Sequence, residues 1–228
     1  MIAIPVRDSG PSEPESLRYV LRSIATHLPG ESVTLVGHRP SWYRGPHIPT
    51  HQIKGVDKHV NIGTNLVTAA RTFDRFCFWS DDCVILRPSA HAVYARPEPI
   101  DSLHARLRRS DPWTKTLGAQ RDLLHAWGFD TSTIPCGDSH HPILIRSELL
   151  QKVLERTSRD NPNHPVGSFR ALYAAHVRPV ISRDPKATHP AAKLSRNRTY
   201  VSLTPITWRG QPGADIRALF PDPGPLER

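Results

Sequence analysis

The sequence predicts an α/β protein: a mostly parallel central sheet, helices on its faces, and long proline-rich loops. Three observations carry this. An apolar stretch at Met1–Val6 and another at Ser32–Val36 flank a helix-period stretch at Glu15–His27. Strand, helix and strand with a short return form a right-handed crossover, which places the two strands parallel in one sheet. The run Phe76-Cys77-Phe78-Trp79-Ser80-Asp81-Asp82-Cys83-Val84-Ile85-Leu86 is apolar on both sides of two acids, the pattern of a buried strand that is interrupted. Hydrophobic side chains make up 38% of 228 residues and there are 23 prolines, so a compact centre wrapped in irregular loops is expected. That length fits one domain with room for a core.

In order, the first strand ends at Pro5-Val6, with Arg7 directly after it. A Gly/Pro/Ser loop follows from Asp8 to Glu15. Ser12-Glu13-Pro14-Glu15 then opens a helix, with a capping residue at Ser12 or Glu13, proline in the first turn and acids facing the positive end of the dipole. Leu17, Val20, Leu21, Ile24 and Leu28 share one face, and Pro29-Gly30 ends it. The second strand leads into Gly37-His38-Arg39. Ligands of such sheets sit outside the carboxyl ends of the strands, where Arg7, His38 and Arg39 stand. His38 to Gly55 reads as loop, with a short strand near Thr50–Ile53.

A helix from about Asp57 to Arg71 or Thr72 comes next. Lys58, Asn61 and Asn65 form one polar stripe on it, while Val60, Leu66, Val67 and Ala70 lie on faces that can pack inward. Such a stripe suits phosphate and sugar hydroxyls; a solvated helix face is the plain alternative. The helix runs directly into the acidic strand. A buried carboxylate costs several kcal/mol, roughly, unless it is paired, so Asp81 and Asp82 call for a cation. Mg2+ or Mn2+, sharing its coordination sphere with substrate phosphates, is the natural one. Adjacent strand residues point to opposite faces, so both acids reach one ion only if the strand breaks there. A strand-to-turn junction with solvated or arginine-paired acids would give the same sequence.

Downstream, Ile100–Arg109 and Trp113–Trp127 read as helices, the second closed by Gly128. Trp113 and Trp127 are either core residues or platforms for a sugar ring. Asp138-Ser139-His140-His141-Pro142 precedes an amphipathic helix over Arg146–Arg156. Asp138 suits a general base, and histidines beside it can share that task; a plain loop cluster of one Asp and two His, with His141 serving the loop, is the alternative. Arg170 lies on a helix over Val166–Ala175, where one half of an ion pair is the plain reading. Val177–Ile181 and Tyr200–Leu203 read as late strands, and Pro221–Arg228 as a proline-rich tail, docked or frayed.

A net charge of +9 points to an anionic partner. The basic clusters, Arg106-Leu107-Arg108-Arg109 and Lys193-Leu194-Ser195-Arg196-Asn197-Arg198, lack the aromatic interleaving of a single-strand binder and the ligand spacing of a zinc finger. Nucleic acid therefore has no motif in its favour. No apolar run approaches the roughly 18 residues of a membrane span, and Met1–Arg7 has neither the basic start nor the apolar centre of a secretory leader. Three cysteines, Cys77, Cys83 and Cys136, an odd number without metal spacing, lead us to expect free thiols and a cytoplasmic setting.

Lys58, Asn61, Asn65, Ala69-Ala70-Arg71, Ser80-Asp81-Asp82-Cys83 and Arg87-Pro88 occur in an order that resembles the core of stealth-type and related small GT-A glycosyltransferases. Ile4-Pro5-Val6-Arg7, Leu17-Arg18-Tyr19, Leu21-Arg22-Ser23-Ile24, His140-His141-Pro142, Ser168-Phe169-Arg170-Ala171-Leu172-Tyr173 and Ile216–Pro223 resemble further segments of that family, collinearly. Ser80 stands where the family has Asn, Cys83 where it has Phe, and Asp81-Asp82 lacks the spacer of an Asp-x-Asp pair. The resemblance implies a single GT-A-like domain over residues 1–228, with a nucleotide-binding half at 1–90 and an acceptor-side half at 91–228. It implies transfer from a nucleotide-diphosphate sugar with Mn2+ or Mg2+. The metal would sit on Asp81 and Asp82. The donor would meet Pro5, Arg7, Lys58, Asn61, Asn65 and Ser80, and catalysis would fall to Asp138, His140 and Arg170. The acceptor would be a hydroxyl on a protein, a glycan or a lipid, with a protein or glycan favoured by the lack of membrane elements. Thr204–Trp208 has no acid where the stealth phosphotransferases carry them, which puts glycosyl transfer ahead of hexose-1-phosphate transfer. From a different class, a basic nucleic-acid-binding protein is the competing reading.

Overall fold

The computed structural model describes residues 1–8, 15–53, 58–107, 111–187, 189–195 and 197–227, with the side chain of Lys58 also outside the description. The expected helix cap at Ser12, Glu13 and Pro14, the start at Asp57, and the basic residues Arg108, Arg109 and Arg196 lie outside the described residues.

β1 (Ile2–Val6) is buried at every position, since it lies at the centre of the sheet with a helix on each face. α1 (Glu15–His27) follows, and β2 (Val33–Gly37) pairs with β1 in parallel, with Ile2 opposite Val33 and Val6 opposite Gly37. β3 (His47–Pro49) extends the sheet beyond β2, again in parallel. α2 (Lys58–Thr72) returns the chain to β4 (Arg75–Phe78), parallel to β1 on its other side. Alternation along β1 separates two cores, as a two-residue period requires. Ile2, Ile4 and Val6 pack with Leu17, Val20, Leu21 and Ile24 of α1; Ala3 packs with Leu66 and Ala69 of α2.

The remaining elements cover the edges. β5 (Cys83–Ile85) leaves the main sheet and pairs antiparallel with β9 (Tyr200–Ser202). β6 (Tyr94–Ala95) pairs with β8 (Val180–Ile181). α3 (Ile100–Arg106) and α4 (Pro112–Ala126) form a third cluster with α5 (Ser147–Asp160) and α6 (Arg170–Ala174). α7 (Pro205–Arg209) and α8 (Gln211–Leu219) close the described chain. The whole is mixed α/β, with a five-stranded, mostly parallel sheet in the order β3-β2-β1-β4-β7, where β7 is Ile143–Arg146. Among the described residues no helix is long and apolar enough to cross a membrane. Cys77, Cys83 and Cys136 are free and buried.

Several boundaries differ from expectation. β7 (Ile143–Arg146), the antiparallel edge strand beside β4, takes the place of a direct run from Pro142 into helix. Its Ile143 and Ile145 face the core shared with Phe76 and Phe78. The strand expected at Thr50–Ile53 lies instead at His47–Pro49, because Thr50 and Gln52 turn away to bond Asn65. α6 begins only at Arg170, since a turn closed by Ser168 N–H to Pro165 O occupies the preceding residues. The strand expected over Val177–Ile181 shrinks to the two exposed residues of β8. α7, which the sequence reading lacked, starts at a capping box in which Thr204 and Thr207 satisfy each other's backbone N–H, with Pro205 in the first turn. The tail is docked: Arg22 Nε and Nη2 hold the Glu227 carboxylate at 2.6 and 2.9 Å, and Arg22 Nη1 bonds the carbonyls of Phe220 and Pro221.

Candidate active site

The acidic turn lies where the chain changes sheets. Trp79 N–H still bonds Ala3 O of β1 at 2.9 Å, prolonging β4 by one residue. Cys83 N–H then closes a tight turn onto Ser80 O at 3.2 Å, and Trp79 Nε1 donates to Cys83 O at 2.6 Å beneath it. The wholly buried indole thus locks the turn from inside. Leu203 N–H bonds Asp82 O at 3.0 Å, tying the turn to the end of β9. Asp81 and Asp82, both half-buried, therefore stand at the carboxyl edge of β1 and β4. The strand does break between them and the main sheet.

Asp82 Oδ1 is closed to solvent and has no hydrogen-bond partner among the described residues. Burial pushes the Asp82 carboxyl above the usual carboxylate range, against the pull of His140, Arg170 and the nearby Ser202 hydroxyl. Arg170 is the facing cation. Its Nη1 donates to His141 O at 2.7 Å. Burial lowers its pKa, opposed by the charges of Asp138 and Asp82. Among the described residues no carboxylate lies within ion-pairing distance of Arg170, so the guanidinium and Asp82 feel each other's charge without touching.

Around them runs a second network. Arg96 is its hub: Nε donates to Asp138 O at 2.8 Å, Nη2 forms an ion pair with Asp184, and the guanidinium lies 5.4 Å from the Trp113 ring centre. Trp113 Nε1 donates to Asp138 Oδ2. Both Asp184 oxygens lie 3.1 Å from His140 Nδ1, and Lys186 N–H donates to Asp184 Oδ1 at 3.0 Å. Asp184 is held well below the usual carboxylate range by His140 and Arg96, which outweigh its burial. His141 takes no part in charge. It stacks on Tyr94 at 4.5 Å, shares a 2.6 Å hydrogen bond with Ser139, and burial lowers it to about 4.

Of the residues singled out from the sequence, Asp82, Asp138, His140 and Arg170 come together here. Ser80 supplies the turn carbonyl, and Arg7 is exposed just past the end of β1. Pro5 is buried inside β1 opposite Val36, so its side chain packs and does not meet a donor. Asn61 and Asn65 also depart from expectation. Asn61 clamps Ile53, accepting its N–H at 3.0 Å and donating to its carbonyl at 2.9 Å. Asn65, wholly buried, accepts from Thr50 and Gln52 and donates to Val6 O. Both side chains hold the protein's own loop, which occupies the polar atoms a donor would need. Gly37 belongs to the same joint: at φ +114° a Cβ would stand 2.2 Å from Val6 O and 2.6 Å from Asn65 Nδ2. Lys58 opens α2 next to this joint. Trp113 is at the site through its N–H, whereas Trp127 is engaged elsewhere, by Asp160 and Arg156.

Arg96, Asp184 and Ser202 were absent from the sequence reading. Asp184 sits in an irregular Arg183-Asp184-Pro185 segment with no periodicity to mark it, and only the fold brings it to His140. For a metal, the donor set is sparse: among the described residues no group of three or more His, Cys, Asp or Glu gathers. Two adjacent acids with one orphaned oxygen suit an ion that completes its sphere from a ligand's phosphates, since Mg2+ is commonly held by one or two carboxylates plus substrate. They do not suit an ion caged by protein alone. No family model matches this sequence, and no curated protein matches it.

Proposed function

We propose that this protein is a GT-A-like, metal-dependent glycosyltransferase that moves a sugar from a nucleotide-diphosphate donor to an acceptor hydroxyl on a protein or glycan. The observation that carries the reading is the Asp82–Arg170 pair: two half-buried opposite charges, at the carboxyl edge of a mostly parallel sheet, that feel each other without forming an ion pair. Leaving both charges desolvated and apart costs stability, and a ligand bearing its own charges between them removes that cost. A metal diphosphate has the required two signs: Asp81 and Asp82 would hold its cation, and Arg170 would hold its phosphate oxygens. The metal, when bound, neutralises charge on the departing diphosphate.

The chain's own residues supply the rest. Arg170 is fixed by His141 O and contributes positive charge where the leaving group becomes negative. His140 presents Nδ1 to Asp184, which leaves Nε2 to take the proton of an acceptor hydroxyl. That backing favours His140 over Asp138 as the base. Asp138, held by Trp113 and facing Arg170, then tunes the arginine.

Thermal shift with UDP, GDP and TDP sugars, with and without Mn2+, tests the reading. A donor at 100 times its Kd adds about 2.7 kcal/mol, or roughly 5–10 °C for a chain of this size. The expected result is a metal-dependent rise with one nucleotide, absent in Asp82→Asn. A rise only with oligonucleotides, or none with any donor, overturns it.

A further inference from the structure

A second polar feature lies beside the site and is not used by it. Lys186, His189, Lys193 and Arg198 border one surface cavity of about 120 Å³, whose remaining wall includes Val201 and Pro212. All four basic side chains belong to exposed residues. None forms an ion pair among the described residues. The neighbouring acid, Asp215, is engaged with Leu194 N–H at 2.8 Å and Gln211 Nε2 at 2.6 Å. Arg198 N–H bonds Ser195 O at 3.1 Å. Lys186, Lys193 and Arg198 carry charges of one sign, which repel one another and attract an anion.

The cavity is placed by β9. The Ser202 side chain lies on the Asp82 side of the strand, close enough to lower the Asp82 pKa, while its neighbour Val201 borders the cavity. Adjacent strand residues point to opposite faces, so the cavity lies on the far side of β9 from Asp82. The segment on its rim is also the one that carries Asp184: Ser202 N–H bonds Pro185 O and Ala187 N–H bonds Ser202 O. The volume decides the class of ligand. Sites for whole nucleotides and drug-sized molecules run to about 300–1,000 Å³, and this hollow holds a single small anionic group.

We propose that this cavity is a second anion site, specific for a phosphate dianion, either free or as the terminal phosphomonoester of a larger molecule. It stands independently of the glycosyltransferase reading. Isothermal titration at 0.15 M KCl, with inorganic phosphate in one arm and glycerol 3-phosphate in the other, tests it. The expected result is one saturable site in the wild type, weakened at least tenfold in Lys193→Ala/Arg198→Ala and retained in Lys193→Arg/Arg198→Lys and in Asp82→Asn. Equal affinity in the two arms assigns the site to free phosphate, and tighter glycerol 3-phosphate to a carried one. The proposal is overturned if binding is non-saturable, if it vanishes as a screened surface effect would at that salt, or if the double alanine variant binds as well as the wild type while keeping its Tm.

Discussion

Both carboxylate oxygens of Asp184 lie 3.1 Å from His140 Nδ1, joining residues 44 positions apart. The same carboxylate pairs with Arg96, so one acid orients the imidazole and neutralises the hub of the network. Asp184→Asn keeps the shape and removes the charge. We expect turnover to fall about 100-fold, within the range of a disabled general base. Stability should fall by about 2 kcal/mol, because Arg96 is left mostly buried without its countercharge. His140→Asn should lose turnover with little change in Tm. Equal turnover in wild type and Asp184→Asn would separate His140 from the chemistry.

Asp82→Asn has the opposite signature. An amide of the same shape does not carry the charge whose burial the fold opposes. Without metal, the variant should be as stable as the wild type or about 1 kcal/mol more stable, while turnover is lost. Chemical denaturation with and without Mn2+ and donor checks this: addition should stabilise the wild type alone.

Trp113→Phe deletes one N–H and keeps most of the ring. A hydrogen bond to a charged group contributes about 1.5–3 kcal/mol, so the loosened Asp138 should cost turnover about tenfold or more. If only KM changes, Trp113 serves binding of the acceptor and not placement of Asp138.

His141 carries a pH dependence with a definite sign. Its ordinary value is 6.5 and burial lowers it to about 4 in the folded protein. Its contribution to stability is fully present above pH 6.5. As pH falls from there toward 4 the unfolded chain takes up a proton that the folded chain refuses, so stability declines. The loss is on the order of 3 kcal/mol by linkage. His141→Gln should flatten the stability–pH curve in that window relative to wild type. An unchanged curve would mean that the imidazole is protonated in the fold.

Glu227 secures the docked tail. Its side chain is 1% exposed and takes Arg22 and Arg18. Glu227→Ala should cost about 3 kcal/mol, because Arg22 keeps its buried place without a partner. Tm should drop by roughly 6–12 °C; a drop under 2 °C would show the pair to be solvated.

What was legible in the sequence follows periodicity. Leu17, Val20, Leu21 and Ile24 announced α1, and the uninterrupted apolar stretches announced β1 and β4, because those positions face a core at regular intervals. The acidic turn was legible for the converse reason: two carboxylates interrupt an apolar run. β7 was not, because four residues between Pro142 and α5 are too few to show a period. Asn65 misled because its stripe was visible and the loop folding over it was not. Arg96, Asp184 and Ser202 lie in short or irregular segments and acquire their roles only through contacts made across the chain.

The crossover at the acidic turn also sets an order of assembly. Chains emerge from the ribosome from the amino end, and early segments settle before late ones exist. A nascent chain that has emerged as far as α5 already carries Asp81 and Asp82. It has neither Arg170 nor Asp184, and β9, which pairs with β5, is still to come. Asp82 therefore waits for Arg170 through most of synthesis. The centre comes into being as one of the last acts of folding.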